Sequence, residues 1–131
     1  MIVVSKIILA SVDKFSPSRS DVVFSLDIDK KNTVFRGSDE MWEAIIDNIL
    51  NNFMRYAKSQ IKITLKNNKI ILYNDGPNID KDVLNNIFTP YEKGVRGVFG
   101  LGLSIVKKTL GLLNYDINIE NVKNGVKFII S

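Results

Sequence analysis

The chain contains no histidine and no cysteine. The first absence excludes every chemistry in which this chain itself would supply an imidazole as base, nucleophile or metal ligand. The second excludes disulfides and thiolate metal sites and leaves the redox compartment open. Long hydrophobic runs are missing too: the apolar stretch near the N-terminus, "KIILASV", is far too short for a membrane span or a secretory leader. Nor is the charge strongly one-sided. Lysine and arginine number 18 against 14 acids, a net +4, and the basic residues are dispersed with few aromatics among them. That distribution suits a small anionic ligand and not a nucleic-acid partner.

What is present belongs to a folded domain. The 131 residues, 45% hydrophobic and 24% charged, are enough for one domain with a real core. The pattern alternates between two periods without repeat, linker or low-complexity interruption. "SKIILASVDKF" reads as a short helix, and "VVFSLDI" alternates Val22, Phe24, Leu26 and Ile28 as a strand does. Ser38 and Asp39 resemble a helix cap ahead of "EMWEAIIDNILNNFMRYA", the longest helical stretch. "QIKITLK" and "KIILYND" are strands with an Asn67-Asn68 turn between them, and "YDINIEN" and "GVKFII" form a second hairpin around Asn124-Gly125. A short helix near residues 81–87 leads into a loop from Thr89 to Phe99 with little periodicity. Helices interspersed among hairpins imply a mixed sheet with helices layered on one face.

Two segments point to chemistry. In "GVFGLGLSIVKK", residues 97–108, Leu103, Val106 and Leu110 fall at helical spacing, so a helix begins near Gly100 or Gly102. Glycine weakens a helix by about 1 kcal/mol relative to alanine, so glycines in the first turn call for a reason. Either a tight turn feeds a helix that packs closely on the sheet, or the free N–H groups of the helix start meet an anion such as phosphate. No Gly-Lys-Ser/Thr follows, so this is not a Walker loop. In the long helix, Trp42, Ile45, Ile46, Ile49, Leu50 and Phe53 form the apolar face. Asn48, Asn52 and Arg55 line up as a separate polar stripe, with Tyr56 between stripe and core. Such a stripe is either a solvated face or a set of carboxamides facing a metal ion beside an arginine facing phosphate.

Taken together, "DNILNNFMRYA", "NDGPNID", "NIFTPYEKG" and "GVFGLGLSIVKK" resemble, in order and spacing, the N box, first glycine box, F box and second glycine box of sensor histidine kinases. The resemblance covers essentially the whole chain, read as a single catalytic ATP-binding domain over residues 1–131. It implies the Bergerat fold shared with DNA gyrase, the Hsp90 chaperone and MutL. That fold is a two-layer α/β sandwich with a mixed sheet of about five strands, about three helices on one face and a mobile ATP lid. It implies ATP and Mg2+ as cofactors, with Asn52 as the magnesium ligand. Asn48, Asn52 and Arg55 are the implied catalytic residues, Arg55 on phosphate, and Tyr56 packs against adenine. Asn74 contacts the base, Gly76 lets it approach and Ile79 walls it. Phe88, Pro90 and Tyr91 correspond to the F box. Lys93 and Arg96 reach from the lid to the phosphates, and Gly100, Leu101, Gly102 and Leu103 form the helix start beside the triphosphate.

Three positions depart from the family pattern. Asn74 stands where aspartate usually accepts a hydrogen bond from the adenine amino group; the carboxamide keeps an acceptor and adds a donor. Asp75 is the neighbouring alternative, but strand register favours Asn74. Asn78 replaces a glycine, and asparagine tolerates a left-handed backbone. Phe99 occupies a position where small residues are common. In family members that hydrolyse ATP, a glutamate base stands at the position of Asn48, and asparagine cannot act as one. The resemblance therefore implies transfer of the γ-phosphoryl to a histidine on a dimerisation and phosphoacceptor domain upstream of position 1, within a dimeric parent protein. From there the phosphoryl passes to a response regulator. The domain is expected in the cytoplasm, its parent anchored in the cell membrane. The alternative is a degenerate nucleotide-binding module that signals by conformation.

Overall fold

The apolar stripe of the longest helix decides the architecture, because six large side chains on one face need a sheet to lie on. The computed structural model describes residues 1–31, 33–89 and 102–131. Its elements are β1 (Ile2–Val3), α1 (Val4–Phe15), β2 (Val23–Ile28), β3 (Val34–Phe35), α2 (Asp39–Tyr56), β4 (Gln60–Lys66), β5 (Lys69–Asn74), α3 (Lys81–Asn85), α4 (Gly102–Leu112), β6 (Ile117–Val122) and β7 (Gly125–Ile130). Among these residues no helix is long and apolar enough to cross a membrane.

α2 starts where its cap predicts. Ser38 has an extended backbone, and its hydroxyl accepts the Met41 N–H at 3.1 Å. Asp39 and Glu40 lie in the first turn and Arg55 in the last, each sign at the favourable end of the helix dipole. Trp42, Ile45, Ile46, Ile49, Leu50 and Phe53 are all fully buried. Each contributes about 1.5–3 kcal/mol relative to an exposed position.

The sheet beneath has the order β2-β4-β5-β7-β6. β2 pairs parallel to β4 across the crossover that carries α2, and the remaining pairs are antiparallel. Alternate residues Ile61, Ile63 and Leu65 of β4, Ile70 and Leu72 of β5, and Phe128 and Ile130 of β7 point into the core. Phe53 meets Phe128 edge to face, with ring centroids 5.0 Å apart. α1 and α4 flank α2 and add Val4, Ile8, Val12, Leu103, Val106 and Leu110 to the same core. This is the expected two-layer sandwich of five strands under three principal helices.

The β4–β5 turn has left-handed backbone at both Asn67 (φ 54°) and Asn68 (φ 60°), the hairpin geometry that asparagine pairs favour. The second hairpin turns one residue earlier than its sequence suggests. Val122 pairs with Gly125, so Lys123 and Asn124 make the turn and the left-handed φ of Asn124 closes it before β7 begins. A small second sheet, β1 with β3, does not follow from the sequence pattern. Two-residue strands are too short to show a period.

Two arginines close the C-terminal ends of the principal helices from far along the chain. Arg19 donates to Met54 O (2.8 Å) and Ala57 O (3.0 Å) at the end of α2, held in place by Asp21. Arg36 donates to Leu113 O (2.8 Å) and Asn114 O (2.9 Å) after α4 and lies over the Tyr115 ring at 4.1 Å. Both satisfy carbonyls that a helix end leaves bare.

Ser38→Ala removes the cap of α2 without touching the core, and it should lower the unfolding free energy in urea by about 1 kcal/mol. Ser38→Asp, which restores an acceptor at the same place, should recover most of that loss.

Candidate functional site

The polar stripe of α2 runs alongside the start of α4. Asn48 donates from Nδ2 to Ala44 O at 2.7 Å, one turn back along its own helix. Its free oxygen faces α4 so closely that a Cβ on Gly102 would lie 3.0 Å from Asn48 Oδ1. The close neighbour of Gly102 is thus a side chain of α2 and not the sheet. Asn52, one turn later, is 9% exposed. At this position the stripe is therefore not a solvated face. The Asn52 carboxamide makes no hydrogen bond among the described residues, and no unpaired polar atom there is sealed from solvent, so its tip remains open. Arg55 is exposed on the last turn. Tyr56 is half-buried, and burial pushes its phenol pKa up against the opposing charge of Arg55.

The loop after β5 docks on the end of the same helix. Gly76 is buried against the Tyr56 carbonyl oxygen so closely that any Cβ would collide with it. Asn74 is 4% exposed, and its Oδ1 accepts the Gly76 N–H at 2.9 Å. The carboxamides of Asn48 and Asn74 are therefore oriented in opposite senses. Among the described residues Asn48 engages its donor and leaves its acceptor free, and Asn74 does the reverse.

Asp75 has a different task from Asn74. Its carboxylate accepts the N–H groups of Lys58, Ser59 and Gln60 and the Ser59 hydroxyl, fixing the chain between α2 and β4. Burial raises its pKa, but these donors outweigh that and bring it to about 2. The loop is held from the other side by the β6–β7 hairpin. Asn121 accepts from Ile79 N and donates to Ile79 O, both at 2.8 Å, and Asn78 Nδ2 donates to Val122 O (3.0 Å) and Gly125 O (2.8 Å). Asn78 does not have a left-handed backbone. The reason for asparagine at that glycine position is the side-chain clamp and not the φ angle.

Ile79 is half-buried against the core and Leu103 is buried. Phe88 is half-buried, with Lys107 Nζ 5.6 Å from its ring centroid. Tyr91, Lys93, Arg96, Gly100 and Leu101, with Pro90 and Phe99, lie outside the described residues. Asn48, Asn52, Arg55, Tyr56, Asn74, Gly76 and Gly102 converge around the second half of α2. Sequence reasoning missed the Arg19 cap, the Asp75 clamp and the Asn121 clasp. The one trace was an asparagine inside a strand, where that residue is depleted.

Among the described residues no group of three or more His, Cys, Asp or Glu could hold a metal ion. A cation here would depend on carboxamide oxygen, water and ligand phosphates, the donor set that magnesium accepts. The buried, unbonded carboxamide of Asn52 fits that role.

Residues 37–131 match the family described as histidine kinase-, DNA gyrase B- and HSP90-like ATPases. The chain belongs to this family. Within that family, the relatives it resembles include sensor histidine kinases. It is 36% identical over 124 residues to the sensor histidine kinase CssS of Bacillus subtilis, covering 92% of this chain and 27% of that protein. It is 29% identical over 102 residues to the sensor protein RstB of Escherichia coli, covering 70% of this chain and 24% of that protein. The chain thus spans about a quarter of the length of these curated relatives. In fold it is similar to the catalytic domain of histidine kinase ThkA, with TM-score 0.86 and 24% identity over 98% of this chain and 91% of that one.

The Asp75 clamp generates a pH dependence. A carboxylate whose folded pKa lies below its ordinary value stabilises the fold above that ordinary value and loses the contribution as pH falls through the folded one. With solvent screening the contribution is roughly 1 kcal/mol. In urea unfolding, the difference between wild type and Asp75→Asn should be full above about pH 5 and shrink as pH approaches about 2.

Proposed function

We propose that this chain binds ATP with magnesium and transfers the γ-phosphoryl group to a histidine on a separate dimerisation and phosphoacceptor domain of its parent protein. The response regulator then takes the phosphoryl from that histidine. The observation that carries this reading is the convergence on α2: the open Asn52 carboxamide, the Gly102 start of α4 against Asn48, and the Asn74–Gly76 loop against Tyr56. Its membership of a family of ATPases, beside sensor histidine kinases, supports the same reading.

In this reading Asn52 holds magnesium through its carboxamide oxygen, with Asn48 one turn earlier as a further polar contact. Magnesium, when bound, neutralises charge on the phosphate oxygens. Arg55, Lys93 and Arg96 meet the phosphates, and Gly100, Leu101, Gly102 and Leu103 present the helix start to them. Tyr56 packs against the base, Ile79 walls it, Gly76 permits its approach and Asn74 reads its edge, while Phe88, Pro90 and Tyr91 of the F box anchor the lid. As the histidine nitrogen bonds to the γ-phosphorus, the bond to the ADP oxygen breaks, and the chain contributes alignment and charge stabilisation. No general base is needed, because imidazole already offers a lone pair. Asn48 cannot activate water, so hydrolysis is slow. The domain works in the cytoplasm beneath a membrane-anchored parent.

A nucleotide-holding regulatory module is the second reading, and the engagement of the Asn74 oxygen by Gly76 is what favours it. Radiolabelled ATP separates the two. The isolated chain should remain unlabelled. Mixed with the phosphoacceptor hairpin of its parent, it should label the hairpin with an acid-labile, base-stable phosphoramidate. Measured ATP binding without label even on the intact parent selects the regulatory module. In titrations, Asn52→Ala should make ATP binding nearly independent of magnesium; an unchanged magnesium dependence would remove Asn52 from the site.

A further inference from the structure

The orientation of the Asn74 carboxamide bears on which purine this site accepts. Only the oxygen of a carboxamide can accept a hydrogen bond, so the Gly76 N–H at 2.9 Å fixes which end of Asn74 is Oδ1. That oxygen is pressed against the Gly76 backbone, where a Cβ would lie 2.7 Å from it. Among the described residues Nδ2 has no partner, yet no unpaired side-chain nitrogen or oxygen is sealed there, so Nδ2 is the atom that opens outward. The side chain is otherwise 4% exposed. A nearly buried donor without a partner favours a ligand that brings an acceptor.

The adjacent carboxylate does not reverse this polarity. Asp75 is already engaged by Lys58, Ser59 and Gln60, which lie between α2 and β4. Asn78 and Asn121 fix the following residues to the β6–β7 hairpin, so the loop has no slack with which to bring another oxygen to the place of Nδ2. An aspartate at position 74 would keep the Gly76 bond with one oxygen and present the other as an acceptor. The asparagine presents a donor in its stead.

Resting on the nucleotide-binding function proposed above, we infer that Asn74 is a specificity-determining residue that admits 6-oxopurine triphosphates, because its outward Nδ2 donates to the carbonyl at purine C6. Adenine carries an amino donor at that position, which Nδ2 cannot receive; its ring nitrogen is the acceptor left to it. The site therefore lacks the acceptor that would make it choose the 6-aminopurine and reject the 6-oxopurine.

Inosine triphosphate is the sharpest probe, since it differs from ATP only in the C6 group and the N1 proton. Calorimetric titration of the wild-type protein with magnesium and either nucleotide should show ATP preferred by less than about fivefold, or ITP preferred outright. Asn74→Asp, of nearly identical shape, should shift the ratio at least about tenfold toward ATP. Asn74→Ala, lacking both groups, should leave little preference while the urea midpoint reports whether the fold is kept. A wild-type preference for ATP of fivefold or more overturns the inference and leaves the proposed function standing. So does an Asn74→Asp variant that binds both nucleotides with the wild-type ratio. Failure of the wild type to bind either nucleotide overturns the proposed function itself.

Discussion

The last turn of α2 must end within contact distance of the loop that leaves β5, and three otherwise unrelated groups exist to make that possible. Gly76 supplies a backbone bare enough to lie against the Tyr56 carbonyl. Asp75 gathers the N–H groups of the residues that follow the helix. Arg19 takes the carbonyls of Met54 and Ala57 that the helix leaves unpaired. The Asn48, Asn52 and Arg55 stripe is carried by the helix that these groups anchor. The constraint is local in space and long-range in sequence, which is why the core and the candidate site are so closely tied.

Neutral polar groups are chosen wherever burial is deepest. Ser11, Asn52 and Asn74 are the buried polar residues among those described, and none is charged. An ionised carboxylate in the place of Asn52 or Asn74 would need donors to replace its lost hydration. Asp75 has such donors and is ionised; it lies less deeply. Ser11 is satisfied by Asp47, whose other oxygen pairs with Lys14 at the rim between α1 and α2. Charge is thus kept where water or several N–H groups reach it, and the interior of the site is read by dipoles with fixed direction. A carboxamide has such a direction only when one end is engaged, as Asn48 and Asn74 show.

Periodic features were legible in the sequence. The apolar face of α2, the Ser38 cap and the Asn67-Asn68 turn each arise from neighbours a few residues apart, and the chain order of the four motifs carried the family. The burial of Asn52 was not legible, because it depends on tertiary packing around α2 and not on helical period. The Arg19 and Arg36 caps were not, since their partners are 35 and 77 residues distant at the nearest. Asn78 shows how a correct position can be given a wrong reason. Its backbone needs no left-handed turn, and its side chain is what the hairpin uses.

The parallel pairing of β2 with β4 also sets an order of assembly. The β4–β5 and β6–β7 hairpins close through two-residue turns and bring together residues near in sequence. Such closures take roughly 1–10 μs in isolation. β2 can reach β4 only after the intervening chain, including all of α2, has been gathered across the sheet. Loop-closure entropy opposes that step until the helix has its core to lie on. The edge strand is therefore favoured to join last, and the residence of unpaired β2 in solution, not the formation of the hairpins, is the interval in which this domain is most open to mispairing with another chain.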